Sequence, residues 1–415
     1  MSNTPSLLNE IRQFHNELSL AGRPGTSLLN LSDQVLSYVV STLRQKEPSS
    51  LPQISDKEWS DLLVHLSYHG IIPLIYWQIT QFPAELRPPE MIIARMREIF
   101  LKNNIYYQIL VRQLRVIQDA FEKQGIHSLV FKGLALAWTV YPDFATRPSG
   151  DIDLLVKPEL FLKAREVLIQ IGYGYNFKRF EMFREICKAE EFFQQKDAKQ
   201  PLTIDLHWNL LHYYGIHRDN GFGNIFGRAA TVEMPGLKFR TLDRVDALIY
   251  SALHLMLNHP ESRRLIWICD IAFLAQKMVE DQEWEVFKKR TAALKADLAV
   301  ENALKLAKMW CNLQLPEKYR DFRGWLRPTS AQKTELAFAE NKKGPDIRLK
   351  GFLALIGSTP NKIPYLFKLI FPSPKYMQMV YPPSKTWLFP LSYIRRWGHW
   401  AGEFLQYLLY KLRRK

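Results

Sequence analysis

Residues 127–156 read HSLVFKGLALAWTVYPDFATRPSGDIDLLV, and the fold turns on how this stretch divides. His127 to Phe131 is a short β-prone run, Leu134 to Val140 is apolar and helix-prone, and YPDFATRPSG, with two prolines and a glycine, is a loop. Asp151 to Val156 then predicts a second strand. On a strand, residues i and i+2 share a face, so Asp151 and Asp153 converge while Ile152 packs on the other side. Carboxylates placed in this way repel one another, and the arrangement is most easily tolerated with a hard cation between them.

The pattern continues on both sides. Downstream, Pro158 to Gly172 predicts a helix with Pro near its first turn and Gly at its end. LTIDLHW at 202–208 alternates apolar with polar and predicts a third strand. Along it Ile204 and Leu206 face one way, and Asp205 and His207 the other. If this strand pairs beside the second, three carboxylates meet, as in a two-metal phosphoryl- or nucleotidyl-transfer site. Upstream, residues 31–124 predict helices: LSDQVLSYVVSTLRQ, EWSDLLVHLSYHG and a long periodic stretch from Pro89 to Lys123 that Gly125 ends. From Leu242 to about Asn341 the helical pattern returns, with Val245, Leu248, Ile249, Ala252 and Leu253 on one face.

Lys132-Gly133 lies between the first strand and a helix, where backbone N–H groups and one positive charge suit a triphosphate. Arg147 and Ser149, just ahead of Asp151, offer a guanidinium fork and a hydroxyl for phosphate. Plainer alternatives stand beside each: a solvated lysine at 132, an Arg147 pair with Asp143, an exposed strand acid at 205. His207, His212 and His217 recur every five residues, which fits no zinc-binding His-Glu-x-x-His pattern. They are expected to be core or surface histidines, as are His254 and His259. Arg264, Trp267 and Asp270 are expected to hold the helical region together.

The order strand, Lys-Gly, helix, Arg-x-Ser-x-Asp-Ile-Asp, helix ending in Gly172-Tyr173, then Ile-Asp-Leu-His-Trp resembles the nucleotidyltransferase superfamily of DNA polymerase β. In particular it resembles a bacterial branch described as uncharacterised nucleotidyltransferases, whose members share the segment around HLMLNHPESRRLIWICDI. The resemblance covers roughly residues 60–280 and is most specific at 131–156 and 204–208. It implies an α+β fold, a small mixed sheet backed by helices within a mostly helical chain. It also implies that Asp151, Asp153 and Asp205 match the superfamily's three acids and hold Mg2+ or Mn2+. A nucleoside triphosphate would be the substrate, with Lys132, Gly133, Arg147 and Ser149 on its phosphates. Two departures stand out: Gly133 is followed by Leu134 where the superfamily has Gly or Ser, and the interval from Gly133 to Asp151 is longer than in compact members.

Composition bounds the rest. A chain of 415 residues with 47% hydrophobic and 13% aromatic residues can bury more than one core. The division predicted is a helical region at 1–100, a nucleotidyltransferase core at 101–240, a helical domain at 241–345 and a basic, aromatic segment at 346–415. Cys187, Cys269 and Cys311 are far apart and odd in number, which argues against a disulfide framework and for a reducing cytosol. The start of the chain lacks a signal-peptide pattern, and no apolar run is long enough to span a bilayer, so a cytoplasmic protein is expected.

The net charge of +15 is uneven: residues 361–415 hold ten Lys or Arg against one acid, Glu403. Within that tail Tyr393, Trp397, Trp400, Phe404 and Leu408 recur at helical spacing among basic residues. Residues 391–415 therefore suit either docking on the protein's own core or peripheral contact with an anionic membrane at its inner face. The acceptor is left open among a sugar phosphate, a lipid-linked glycan, a peptide and RNA. Two other classes share the Asp-x-Asp motif, a glycosyltransferase that binds a nucleotide-sugar and a non-catalytic nucleotide-binding module.

Overall fold

A computed structural model describes residues 4–17, 27–175, 190–195, 201–210, 223–258, 263–278, 281–330 and 388–398, with single positions between 332 and 377. Four helices lead into the sheet region: α1 (Thr4–Glu17), α2 (Asp33–Leu43), α3 (Asp56–Tyr68) and α4 (Ile72–Ile79). The sequence sets their ends locally. At α3, Ser55 Oγ accepts from the Glu58 amide at 3.3 Å while the Glu58 carboxylate accepts from the Ser55 amide at 2.8 Å, a reciprocal capping box.

The long helix expected from Pro89 is α5 (Glu90–Glu122), 33 residues without an internal Gly or Pro. It serves two cores. Ile92 and Met96 pack with the helical bundle. From Tyr107 onward, Leu110, Leu114, Ile117 and Phe121 pack beneath the sheet.

The strands are β1 (Ser128–Phe131), β2 (Asp151–Val156), β3 (Tyr173–Tyr175), β4 (Glu190–Gln195) and β5 (Thr203–His207), in the spatial order β1-β2-β5-β4-β3. Only the β2–β5 pair is parallel; the β1–β2, β5–β4 and β4–β3 pairs are antiparallel. The sheet is therefore mixed and the fold is α+β, as expected. α6 (Gly133–Thr139) and α7 (Phe161–Gln170) complete the layer beneath it. Alternation decides which residues face that layer. Val130, Ile152, Leu154, Val156, Phe193, Ile204 and Leu206 bury one face against α5, α6 and α7.

β3 and β4, which carry no clean alternation, were not expected from the sequence, and neither was the hairpin of β6 (Ala230–Met234) and β7 (Leu237–Thr241). Its two-residue connection is Pro235-Gly236, with Gly236 at φ +73, a backbone region that favours glycine.

Beyond the hairpin come α8 (Arg244–Leu253), α9 (Leu265–Gln276), α10 (Asp281–Ala293) and α11 (Asp297–Cys311). α8 ends in a π turn at His254–Asn258, where Arg263 donates to the Leu255 and Met256 carbonyls, each at 3.0 Å. The helices before and after the sheet, separate in sequence, share one hydrophobic cluster that takes in Leu36, Trp59, Leu248, Ile271 and Trp310. This cluster also takes Leu129, Phe131 and Leu155 from the other face of the sheet. The polar residues of that second face lie among them.

Candidate metal centre

In the β2–β5 register Asp153 stands directly opposite Asp205, and Leu155 opposite His207. Asp153, Asp205 and His207 are buried, at 3%, 6% and 1% exposure. Each offers one ligand atom, and these atoms all lie within 4.8 Å of one another. Phe131, opposite Asp153 on β1, packs edge-on against the His207 ring at 4.8 Å and against Tyr250 of α8 at 5.3 Å. The cluster thus sits in a low-dielectric slot between the sheet and α8.

Two oxygens and an imidazole nitrogen form a donor set that suits a divalent cation such as Mn2+. The group differs from the expected trio by one member. Asp153 and Asp205 meet as expected, but the third ligand atom within this radius belongs to His207, which was expected to be a core or surface histidine. The signal was in the sequence, because His207 follows Asp205 by two and shares its strand face. Asp151, on the same face one step nearer the strand start and opposite Thr203, is half-buried.

Charge divides the two acids of the Asp-Ile-Asp motif. Burial and the neighbouring Asp153 push the Asp151 carboxyl up to about 6. Burial also raises Asp153, but Lys132 and His207 more than offset it and leave that carboxyl below its ordinary value. Lys132 Nζ lies 2.7 Å from Asp153 Oδ1, and His207 Nε2 lies 3.2 Å from the same oxygen.

A pH dependence follows for Asp151. Between its ordinary value of about 4 and about 6, the folded metal-free protein holds a proton that the unfolded chain has lost. This group's contribution to stability is therefore complete below that window and lost as pH rises through it. Melting curves in chelator from acid to neutral pH should show Asp151→Asn gaining on the parent as pH rises.

The Lys-Gly turn and its neighbours are not alike in role. Lys132 caps α6 at φ +55 and ψ −135, a conformation costly for a residue with a side chain. Its ammonium points into the cluster, within 5.8 Å of the Tyr250 ring centroid. Lys132→Gly should therefore be more stable than Lys132→Ala by about 1–2 kcal/mol, because glycine alone relieves the strain; urea denaturation of the two variants measures it.

Protein partners surround each of Arg147, Ser149 and Gly133, the residues expected beside phosphate. Arg147 is buried and donates from Nε and Nη2 to the Asp270 carboxylate at 3.1 and 2.7 Å, and from Nη1 to the Pro148 carbonyl at 2.7 Å. Its carboxylate partner is Asp270 and not Asp143, which instead caps a short turn by accepting from the Ala145 amide. Ser149 Oγ donates to the Asp151 carbonyl at 3.0 Å. Gly133 is buried, and α6 has only seven residues, so its N-terminus is a packed turn.

Asp270 ties the sheet to the helical region, beyond its expected role within that region. His254 packs on Tyr250 and Trp267 in the core, as expected. His212, His217, His259 and Cys187 lie outside the described residues.

A mixed sheet packed against a helical bundle and carrying a buried carboxylate–imidazole group that could hold a metal ion defines an α+β protein with a candidate metal centre. The chain belongs to the uncharacterised nucleotidyltransferase family, whose profile matches residues 55–312. A solved structure of an antigenic nucleotidyltransferase-like protein from Paracoccidioides brasiliensis is similar over 54% of this chain and 95% of its own, at 13% identity and a TM-score of 0.28. No curated relative matches the chain.

Proposed function

We propose that this protein transfers a nucleoside monophosphate from a nucleoside triphosphate to an acceptor and releases pyrophosphate. The observation that carries the reading is the direct opposition of Asp153 and Asp205 across β2 and β5, with His207 beside them. Asp153, Asp205 and His207 would hold Mg2+ or Mn2+, and Asp151 sits next to them on the same strand face. When bound, the ion supplies charge neutralisation at the transferred phosphoryl group.

The chain's own residues supply the rest. Asp205, at the far side of the cluster from β1, would orient the acceptor group. Asp151, with its raised affinity for a proton, is suited to take the acceptor's proton near neutral pH. Lys132, which follows β1 and contacts Asp153, is placed to move from that carboxylate to the departing phosphates. The slot beneath Phe131 and Tyr250 keeps these groups out of bulk water, where charge interactions are weaker.

Incubation of the protein with each α-labelled triphosphate, Mn2+ and fractionated cell extract tests the reading. Label entering one acceptor pool with equimolar pyrophosphate is the expected result. Release of a nucleoside diphosphate from a nucleotide-sugar would identify a glycosyltransferase, and release of neither product a binding module.

The C-terminal region supports a peripheral membrane contact. Among residues 388–398, helical throughout, Leu391 and Ile394 are 52% and 58% exposed while Ser392 and Arg396 are buried. Aliphatic side chains therefore face outward at the start of a segment, residues 391–415, with six basic residues to one acid. The remainder of that tail, residues 399–415 with Trp400, Phe404, Leu408 and the last basic cluster, lies outside the described residues. Among those described, no helix is long and apolar enough to cross a membrane.

Apolar insertion plus about 1 kcal/mol per nearby basic residue would hold the helix on anionic lipid. Co-sedimentation should find the parent on vesicles containing phosphatidylglycerol and not on phosphatidylcholine alone. Leu391→Glu with Ile394→Glu should reduce binding at least tenfold, and equal binding by parent and variant would remove the contact.

A further inference from the structure

The Lys132 conformation requires a cause. A residue with a side chain stays at φ +55 and ψ −135 only when its surroundings over-determine it, and here they are identifiable. Gly133 leaves no room for a Cβ, which would lie 2.1 Å from Ser149 Oγ and 2.9 Å from Arg147 Nη1. The turn is therefore seated on Ser149 and Arg147.

Arg147, itself 6% exposed, is fixed in turn by the paired bonds to Asp270 from α9. Tyr141 OH donates to the same Asp270 Oδ1 at 2.7 Å. Burial works against the Arg147 charge, but Asp270 more than offsets it and raises the guanidinium above its ordinary value. Ser149 in turn holds the Asp151 carbonyl, so the start of β2 depends on the same contacts.

We propose that Asp270 is a positioning residue for the metal cluster: through Arg147 it presses on the Gly133 turn and thereby keeps the Lys132 ammonium on Asp153. The helical region after the sheet is then part of the site's construction. The geometry alone carries the placement of Lys132; what the placement serves rests on the nucleotidyltransferase reading.

Lys132 can be read without any activity. Trace acylation of the metal-free protein with an amine reagent, followed by peptide mass spectrometry, reports how well each lysine is protected. Asp270→Asn retains shape while removing the charge, Arg147→Lys retains charge while removing the paired bonds, and Tyr141→Phe removes only the hydroxyl.

Below the melting temperature of each variant, labelling of Lys132 relative to exposed Lys123 should rise at least fivefold in Asp270→Asn and Arg147→Lys, and less in Tyr141→Phe. A second measurement uses the rise in melting temperature on adding Mn2+. Asp270→Asn should change that rise in the parent background and leave it unchanged in a Lys132→Met background, because its effect passes through Lys132.

Unchanged Lys132 labelling in folded Asp270→Asn and Arg147→Lys overturns the proposal, as does an Asp270→Asn effect on the Mn2+ shift that is the same with and without Lys132. If labelling rises as stated but no triphosphate is ever consumed, the positioning stands and the nucleotidyltransferase reading falls.

Discussion

Asp205→Asn should stop nucleotide transfer while leaving the metal-free protein at least as stable as the parent. The two outcomes have one cause. Asp153 and Asp205 face each other in a buried slot with Asp151 beside them, so each added negative charge costs folding energy in the absence of a cation. Asparagine keeps nearly the same volume and removes one of those charges. The same change removes a ligand oxygen and the anion that would orient the acceptor. Losing such a contact is expected to cost about 3 kcal/mol or more of transition-state stabilisation, over a hundredfold in rate. Asp153→Asn should lose activity equally but gain less stability, because Lys132 then loses its carboxylate partner. Pyrophosphate release and chelator-treated melting curves on the same samples check both halves.

Gly133→Ala should destabilise the fold by about 2–4 kcal/mol, the reverse of the usual effect of replacing glycine by alanine in a helix. The added methyl would meet Ser149 Oγ at 2.1 Å and Ser149 Cβ at 3.0 Å, and neither can move without loss. The hydroxyl is engaged with the Asp151 carbonyl, and Arg147 behind it is pinned to Asp270. The clash would therefore be relieved by displacing the Lys132 turn or the start of β2. Ser149→Gly removes two of the three close atoms and leaves Arg147 Nη1 at 2.9 Å, so the double variant should recover part of the loss. Urea denaturation of the single and double variants measures this, and a Gly133→Ala protein as stable as the parent would contradict the tight seat of the turn.

How much of this was legible in the sequence depended on whether a pattern was local. β2 and the long helix α5 were readable because alternation, an uninterrupted periodic run and a terminal glycine lie within a few residues of one another. The parallel pairing of β2 with β5 was only conditional, since nothing in LTIDLHW says which neighbour it chooses. β3 has only three residues, and EEFFQQ of β4 places two phenylalanines side by side where a half-buried strand would alternate.

The same distinction holds at the site. Asp153 and Asp205 were identified by strand phase, and His207 shares that phase but was set aside because its spacing to other histidines fitted no metal motif. The carboxylate partner of Arg147 was illegible for a different reason. That partner, Asp270, is 123 residues away, and only the packing of α9 against the loop before β2 brings the two together.

Binding of Mn2+ to the purified protein, measured by calorimetry without substrate, tests whether Asp153, Asp205 and His207 form a metal centre. The parent should bind Mn2+, and Asp153→Asn and Asp205→Asn should each lose at least tenfold in affinity. His207→Gln should fall clearly below the parent, and Asp151→Asn should fall least, because its carboxylate lies outside the group of mutually close ligand atoms. If Asp153→Asn, Asp205→Asn and His207→Gln bind Mn2+ as tightly as the parent, or the parent does not bind it, this cluster is not a metal centre.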